Sequence, residues 1–184
     1  MSKKILVLND SPRLKGNTAT LSDQLVAGAR KASAIVEIVY LHGLDVQACA
    51  ACGACQTGGK GCVIGDEMRD IYPKLRSADA IVIATPVYCY RMKLCLDRWY
   101  ALESGQDFEL KGKRLSLLMV YGNKDLYSSG GITVIHTLEG ICRYAGMDLD
   151  DIVLGSAMAI GDAEKDPSLM DQPCRLGKSL AQPA

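Results

Sequence analysis

Lys4-Ile5-Leu6-Val7-Leu8-Asn9-Asp10-Ser11-Pro12-Arg13-Leu14-Lys15-Gly16-Asn17-Thr18 is the segment that decides the fold. From Ile5 to Leu8 the apolar residues run without a polar alternate. That pattern suits a strand covered on both faces, as in the middle of a parallel sheet. Asn9-Asp10-Ser11-Pro12 ends the run with turn-forming residues. Residues 18 to 33 then read as a helix, because Leu21, Leu25 and Ala29 recur at steps of four on one face.

The same alternation continues down the chain. Ile35 to Leu41 reads as a second strand, and 42 to 65 as a loop rich in Gly and Cys. Asp66-Glu67 opens a helix through Met68, Ile71 and Leu75, with two acids at its positive dipole end. Pro73 inside that helix predicts a kink. Ala80 to Thr85 is a third buried strand closed by Pro86, and Met92, Cys95, Leu96, Trp99 and Leu102 follow at helical spacing. Arg114 to Tyr121 gives a fourth strand, Gly130-Gly131 leads a helix carrying Ile135, Leu138 and Cys142, and Ile152 to Leu154 gives a fifth strand. Asp148, Asp150 and Asp151 read as a solvated turn. A short helix near 174 to 181 is all the tail suggests. Strands alternating with helices argue for an α/β fold, a parallel sheet with helices on both faces. No repeat or low-complexity linker divides the chain, so residues 1–184 read as a single domain.

In such sheets a ligand lies beyond the carboxyl ends of the strands, at the switch in strand order. The turn after the first strand has the chemistry for an anion there. A helix start offers free N–H groups, Ser11, Asn17 and Thr18 add short donors, Arg13 adds a guanidinium, and Gly16 permits close approach. The plainer alternative makes Asn17 or Thr18 a helix cap and Arg13 a surface charge. No Gly-x-Gly-x-x-Gly follows the first strand, and no Gly-x-x-x-x-Gly-Lys occurs anywhere, which argues against a dinucleotide fingerprint or a P-loop.

Cys49-x2-Cys52-x2-Cys55-x6-Cys62 places four of the eight cysteines within fourteen residues, among Gly53, Gly58, Gly59 and Gly61. Successive Cys-x2-Cys steps let thiolates converge on neighbouring irons, as in [4Fe–4S]-binding runs. Structural zinc more often uses two Cys-x2-Cys pairs with a longer spacer, and an unmetallated thiol or disulfide loop is the third alternative. Cys95 and Cys142 read as core residues. His42 and His136 read as surface residues, with no serine or acid arranged beside them for hydrolysis.

Lys plus Arg equals Asp plus Glu at 21 each, so no net field draws the chain to nucleic acid or an anionic membrane. The apolar run at the N-terminus is too short for a signal peptide, and none reaches the ~20 residues of a membrane helix. A cytoplasmic location is expected, with cysteines reduced or ligating rather than in structural disulfides.

Ser11-Pro12-Arg13 with Gly16-Asn17-Thr18, Ala78-Asp79-Ala80-Ile81 through Thr85-Pro86-Val87-Tyr88, and Asp97-Arg98 occur in one order along residues 3 to about 147. In these motifs the chain resembles the NADPH-dependent FMN reductase family and, with its cysteines, the iron–sulfur flavoproteins within it. The resemblance implies a flavodoxin-like doubly wound sheet of five strands, order 2-1-3-4-5, with FMN at the strand ends. Ser11, Arg13, Gly16, Asn17 and Thr18 would hold the phosphate. Pro86, Val87, Tyr88 and Cys89 would line the isoalloxazine ring, and Tyr121 and Gly122 would close the third side. Cys49, Cys52, Cys55 and Cys62 would ligate a [4Fe–4S] cluster. Family members are commonly dimers or tetramers, so a homodimer or homotetramer is implied. Two departures stand out. Asp10 replaces the usual leading Gly, and about four residues are missing between Tyr88 and Asp97-Arg98, close to one helical turn. Arg91 and Lys93 at that helix start could attract a pyridine-nucleotide phosphate or simply be solvated.

The activity implied is electron transfer between FMN and the cluster, with NAD(P)H as a donor and a small molecule or protein as acceptor. A cluster-free NAD(P)H-dependent FMN or quinone reductase is the second reading. A non-enzymatic FMN- or metal-binding module that senses redox state is the third.

Overall fold

The computed structural model describes residues 2–57, 61–87, 92–104 and 107–183. β1 (Lys4–Asn9) leads through the expected turn into α1 (Asn17–Lys31), and β2 (Ile35–Tyr40) follows. A short helix, α2 (Ala54–Thr57), interrupts the cysteine-rich loop ahead of α3 (Met68–Ser77) and β3 (Ala80–Pro86). Next come α4 (Lys93–Arg98), continued by a 3-10 turn over Trp99–Leu102, and a small hairpin of β4 (Glu103–Ser104) and β5 (Asp107–Phe108). β6 (Arg114–Tyr121), α5 (Gly131–Ala145), β7 (Asp148–Ser156) and α6 (Pro167–Leu180) complete the chain.

Five strands pair in parallel in the order β2-β1-β3-β6-β7. Counting the strands of this sheet alone, that is 2-1-3-4-5, the flavodoxin-like arrangement. The uninterrupted apolar strands explain it. Alternate residues of β1 serve opposite faces, Leu6 and Leu8 packing with α3, α4 and α5, Ile5 and Val7 with α1 and α6. β3 divides likewise, with Ile81 and Ile83 on the first face and Val82 and Ala84 on the second. Chain order reverses between β1 and β3, so the turns after those strands splay apart and leave a crevice.

Three sequence expectations need correcting. The tail helix is longer than 174 to 181, because Asp166 caps it by accepting from the N–H groups of Ser168 and Leu169, with Pro167 in its first turn. Asp148, Asp150 and Asp151 lie in β7, not in a turn. β7 is an edge strand that tolerates charge, the pairing shifts by one residue between Leu115 and Leu117, and Asp150 accepts from Arg114 Nε at 2.7 Å. Within 42 to 65, α2 and a 3-10 turn at Leu41–Gly43 add local structure. α3 spans Met68–Ser77 with Pro73 inside it. His42 and His136 are exposed, as read from the sequence.

α1 and α6 approach through glycine. A Cβ on Gly28 would lie 2.0 Å from the Cys174 carbonyl oxygen, and one on Gly177 would lie 2.1 Å from that of Leu25. Both obstacles are backbone, so the helices themselves would have to separate. Gly28→Ala and Gly177→Ala are each expected to cost about 2 kcal/mol or more, lowering Tm by several degrees. Gly140→Ala, exposed in α5 with nothing within 4 Å, is expected to raise stability by about 0.5–1 kcal/mol. Thermal and urea denaturation of the three variants check the contrast.

Candidate functional site

The turn between β1 and α1 is built by short side chains bonding to nearby backbone. Asn9 Oδ1 accepts from the Ser11 N–H at 2.9 Å, and Asn9 Nδ2 donates to Ser22 Oγ at 3.2 Å. Ser22 in turn donates to the Thr18 carbonyl at 2.9 Å, locking the turn to the first two turns of α1. Ser11 Oγ accepts from the Arg13 N–H at 3.2 Å. Gly16 precedes the helix without a side-chain cap, and no acid sits in the first turn. The N–H groups of Asn17, Thr18 and Ala19 therefore point out of the helix start, where the dipole favours an anion. The Arg13 guanidinium has no hydrogen-bond or ion-pair partner among the described residues.

Ser11, Arg13, Gly16, Asn17 and Thr18 line one cavity of about 240 Å³. Pro86 and Val87 after β3, and Tyr121 and Gly122 after β6, form its other walls. Nine of the residues singled out from the sequence thus meet around one space. Tyr88 and Cys89 lie outside the described residues. The strand ends are held in register by backbone bonds beyond the sheet, from Asp10 N–H to the Ala84 carbonyl at 2.9 Å, Val87 N–H to Val120 at 3.0 Å and Ala157 N–H to Tyr121 at 2.8 Å.

Asn17 has a role that sequence reading did not foresee. Its Nδ2 donates to the carbonyls of Ala159 at 2.8 Å and Ala157 at 3.3 Å, while its Oδ1 accepts from the N–H groups of Gly161 at 3.0 Å and Ala163 at 3.3 Å. The side chain is committed to the loop after β7, and its main-chain N–H is what remains for an anion. That loop adds Ala157 and Met158 to the cavity wall, Met158 lying over Gly122. The one hint in the sequence is Met158 and Ile160, two large apolar residues after a strand with no helical partner positions, and the structure leaves them 73% and 64% exposed.

A second cavity of about 310 Å³ shares Pro86 and Val87 with the first and extends between α4 and α5 over Met92, Leu96, Val134 and Leu138. Its lining is largely apolar, whereas the first is polar where the turn contributes. Lys93 is paired with Asp97 at 2.7 Å on the exposed surface of α4. Arg91 lies outside the described residues.

The cysteine-rich loop is pinched at its neck. Asp66 Oδ2 accepts from the Gln47 N–H at 2.9 Å, Arg98 Nη1 donates to the Gln47 carbonyl at 2.9 Å, and Glu67 N–H donates to the Asp45 carbonyl at 3.1 Å. Asp66 and Arg98 form an ion pair whose side chains are fully buried. Asp66 also accepts from the Met68 N–H, so it caps α3 as its place before the helix suggested. Burial alone would raise the Asp66 pKa, but the Arg98 guanidinium and the two backbone N–H groups hold it below the ordinary value. Burial works against the charge on Arg98, and Asp66 more than restores it.

Within the loop, Cys49 and Cys52 are exposed and Cys55 and Cys62 half-buried. None of the described cysteines is in a disulfide. The structure does not gather the four thiols: among the described residues, no three Cys, His, Asp or Glu side chains stand together as a metal site. The donor set nonetheless suits a thiolate-bound group. Four thiols lie on one necked loop whose backbone reverses at Ala51, Gly53 and Gly61, all with positive φ, with Cys55 and Cys62 resting against the core and Cys49 and Cys52 exposed. Cys95 and Cys142 differ, since burial pushes their thiols up to about 12 and about 11, as expected of inert core residues.

A family model described as NADPH-dependent FMN reductase matches residues 3–161. A protein of Methanosarcina thermophila named iron–sulfur flavoprotein is 33% identical over 91% of this chain and 85% of its own length. Another iron–sulfur flavoprotein, of Methanocaldococcus jannaschii, is 26% identical over 97% of this chain and 96% of its own. Among solved structures, an NAD(P)H:quinone oxidoreductase from Methanothermobacter marburgensis superposes with a TM-score of 0.74 over the whole of both chains at 16% identity. An FMN-dependent NADH-azoreductase of Bacillus anthracis does so at 0.70, over 98% of this chain and 100% of the other, also at 16% identity. At such identities these two show the shared fold.

Replacing Asn17 tests its bridging role. Asn17→Ala is expected to cost about 2 kcal/mol by stranding the buried Ala163 N–H and the half-buried Gly161 N–H. Asn17→Asp is expected to cost more, since a carboxylate would face the carbonyls of Ala157 and Ala159 without a donor. Urea denaturation curves of both variants provide the comparison.

Proposed function

Because this chain belongs to the NADPH-dependent FMN reductase family and is a flavin-dependent oxidoreductase, we propose that it holds FMN at the turn after β1 and carries electrons between that flavin and a [4Fe–4S] cluster on its cysteine loop. The observation that supports this most is the uncapped start of α1 beside an unpartnered Arg13, at the carboxyl edge of the sheet. The first-turn N–H groups, Ser11, Thr18 and Arg13 would take the phosphate oxygens, and Pro86, Val87, Tyr88 and Cys89 would line the ring, with Tyr121 and Gly122 on the third side. Bound FMN supplies the redox chemistry itself, taking up a hydride or two electrons and releasing them singly.

This chain's own residues position the group and shield it. Asn17 holds the loop after β7 against the turn, and Met158 covers Gly122. Cys49, Cys52, Cys55 and Cys62 would hold the cluster, a one-electron carrier. NAD(P)H is the proposed donor, and a small molecule or a protein takes the electrons. Exposed Leu14, Met158 and Ile160 on the loops around the cavity support burial against a second copy, in a homodimer or homotetramer. No helix among the described residues is long and apolar enough to cross a membrane, and a cytoplasmic setting, where thiols stay reduced, suits the cysteine loop.

A second reading keeps the flavin and drops the cluster, leaving an NAD(P)H-dependent FMN or quinone reductase. The apolar 310 Å³ cavity beside Val87 favours it, as room for a flat apolar acceptor. Anaerobic purification with flavin, iron and sulfide analysis separates the two. One FMN per chain with iron and sulfide in equal amounts, both lost in Cys52→Ser while FMN stays, is the expected result. Flavin without iron, together with NADPH oxidation by added quinone, would leave the cluster-free reductase.

A further inference from the structure

Arg98 is an odd residue to bury. It ends the short helix α4, its side chain is fully enclosed, and a buried ion pair seldom stabilises more than apolar side chains of the same volume would. Its contacts indicate what the charge is for. Nη1 meets Asp66 Oδ2 and the Gln47 carbonyl, while Nη2 meets Asp66 Oδ1 at 3.1 Å and Cys62 Sγ at 3.4 Å. The Arg98 carbonyl accepts from the Tyr72 hydroxyl at 3.1 Å, which fixes the end of α4 against α3. Asp66 is itself held by the N–H groups of Gln47 and Met68. The guanidinium is thus held by both carboxylate oxygens of Asp66 and by the Gln47 carbonyl, with one N–H aimed at sulfur.

A neutral thiol is a weak acceptor, and a charge-bearing donor spent on it inside a protein gains little. A thiolate ligand is a far better acceptor, and the same contact then becomes a charge-assisted hydrogen bond. Nε of Arg98 is also buried and has no partner among the described residues, so the group has one donor still to be met. These features are what would be needed beside a ligated Cys62. Outer-shell donors to ligating sulfur fix the ligand's orientation and make reduction easier by stabilising the added negative charge.

We propose that Arg98, oriented by Asp66, is the positioning residue for Cys62 in the cluster-binding loop and raises the reduction potential of the cluster held there. The inference rests on the reading that the four cysteines hold a [4Fe–4S] cluster. Lysine could not substitute fully, since a single ammonium lacks the planar fork that meets Asp66, Gln47 and Cys62 together.

The test uses the full chain, purified and loaded without oxygen, and begins with iron and sulfide analysis. With protein labelled at arginine with nitrogen-15, pulsed EPR of the reduced cluster is expected to show a nitrogen-15 coupling that disappears in Arg98→Lys. The double variant Arg98→Gln/Asp66→Asn removes both charges without stranding one. Its cluster is expected to be about tenfold harder to reduce, a fall of about 59 mV for one electron. Iron loss to a chelator is expected to quicken, while FMN binding stays unchanged. A loaded wild-type protein with no arginine coupling, or a folded double variant with the wild-type potential, overturns the inference and leaves the cluster reading standing. If the double variant loses FMN through misfolding, the labelled wild-type protein decides alone. A wild-type protein that takes up no iron and sulfide overturns the cluster reading and this inference with it.

Discussion

The free end of α1 is the constraint around which the site is arranged. A helix start carries unmet N–H groups and a partial positive charge, and here neither a capping side chain nor an acid answers them. The parallel sheet places that end at its carboxyl edge, beside the chain reversal between β1 and β3. Asn9, Ser11 and Ser22 spend their hydrogen bonds on holding the turn's shape. Asn17 spends four more on fastening a distant loop to the same turn. What is left uncommitted is the set of groups that suits a phosphate.

A second set of buried polar contacts governs the cysteine loop. Its two ends meet through Asp45, Gln47, Asp66 and Glu67, and the Asp66–Arg98 pair locks that neck to α3 and α4. Between the anchored ends, Cys62 is held by Arg98 and Cys55 rests against the core, while Cys49 and Cys52 are exposed and stand clear of the sheet. Folding of the frame and closing of the loop on a group are thereby separable, which matches the partial exposure of all four cysteines. Both polar assemblies follow parallel strands, the turn after β1 and the loop after β2, and so rise from the same carboxyl edge of one apolar α/β scaffold.

Much of this was readable in the residues alone. The unbroken apolar runs of β1 and β3 announced strands buried on both faces, and the helical spacing of Leu21, Leu25 and Ala29 marked the face α1 turns inward. The turn was legible because its chemistry is local: Ser11 to Thr18 are neighbours in sequence and in space. Contacts that span the chain were not. Asn17 looked like a cap or an anion ligand, and its partners lie some 140 residues away, at Ala157 and Ala159. Arg98 carried no sign of burial, since its partner Asp66 was explained adequately as a helix-start charge. α6 was underestimated because Pro173 and Gly177 lower helix propensity, while the reason for the helix, glycine-to-backbone packing on α1, is tertiary.

Flavin binding with and without the phosphate probes the seat at α1 most directly. Fluorescence titration of the flavin-free protein is expected to give FMN an affinity about 100-fold above that of riboflavin, the equivalent of one or two charge-assisted hydrogen bonds. Equal affinity for the two flavins would contradict a phosphate seat at the turn after β1.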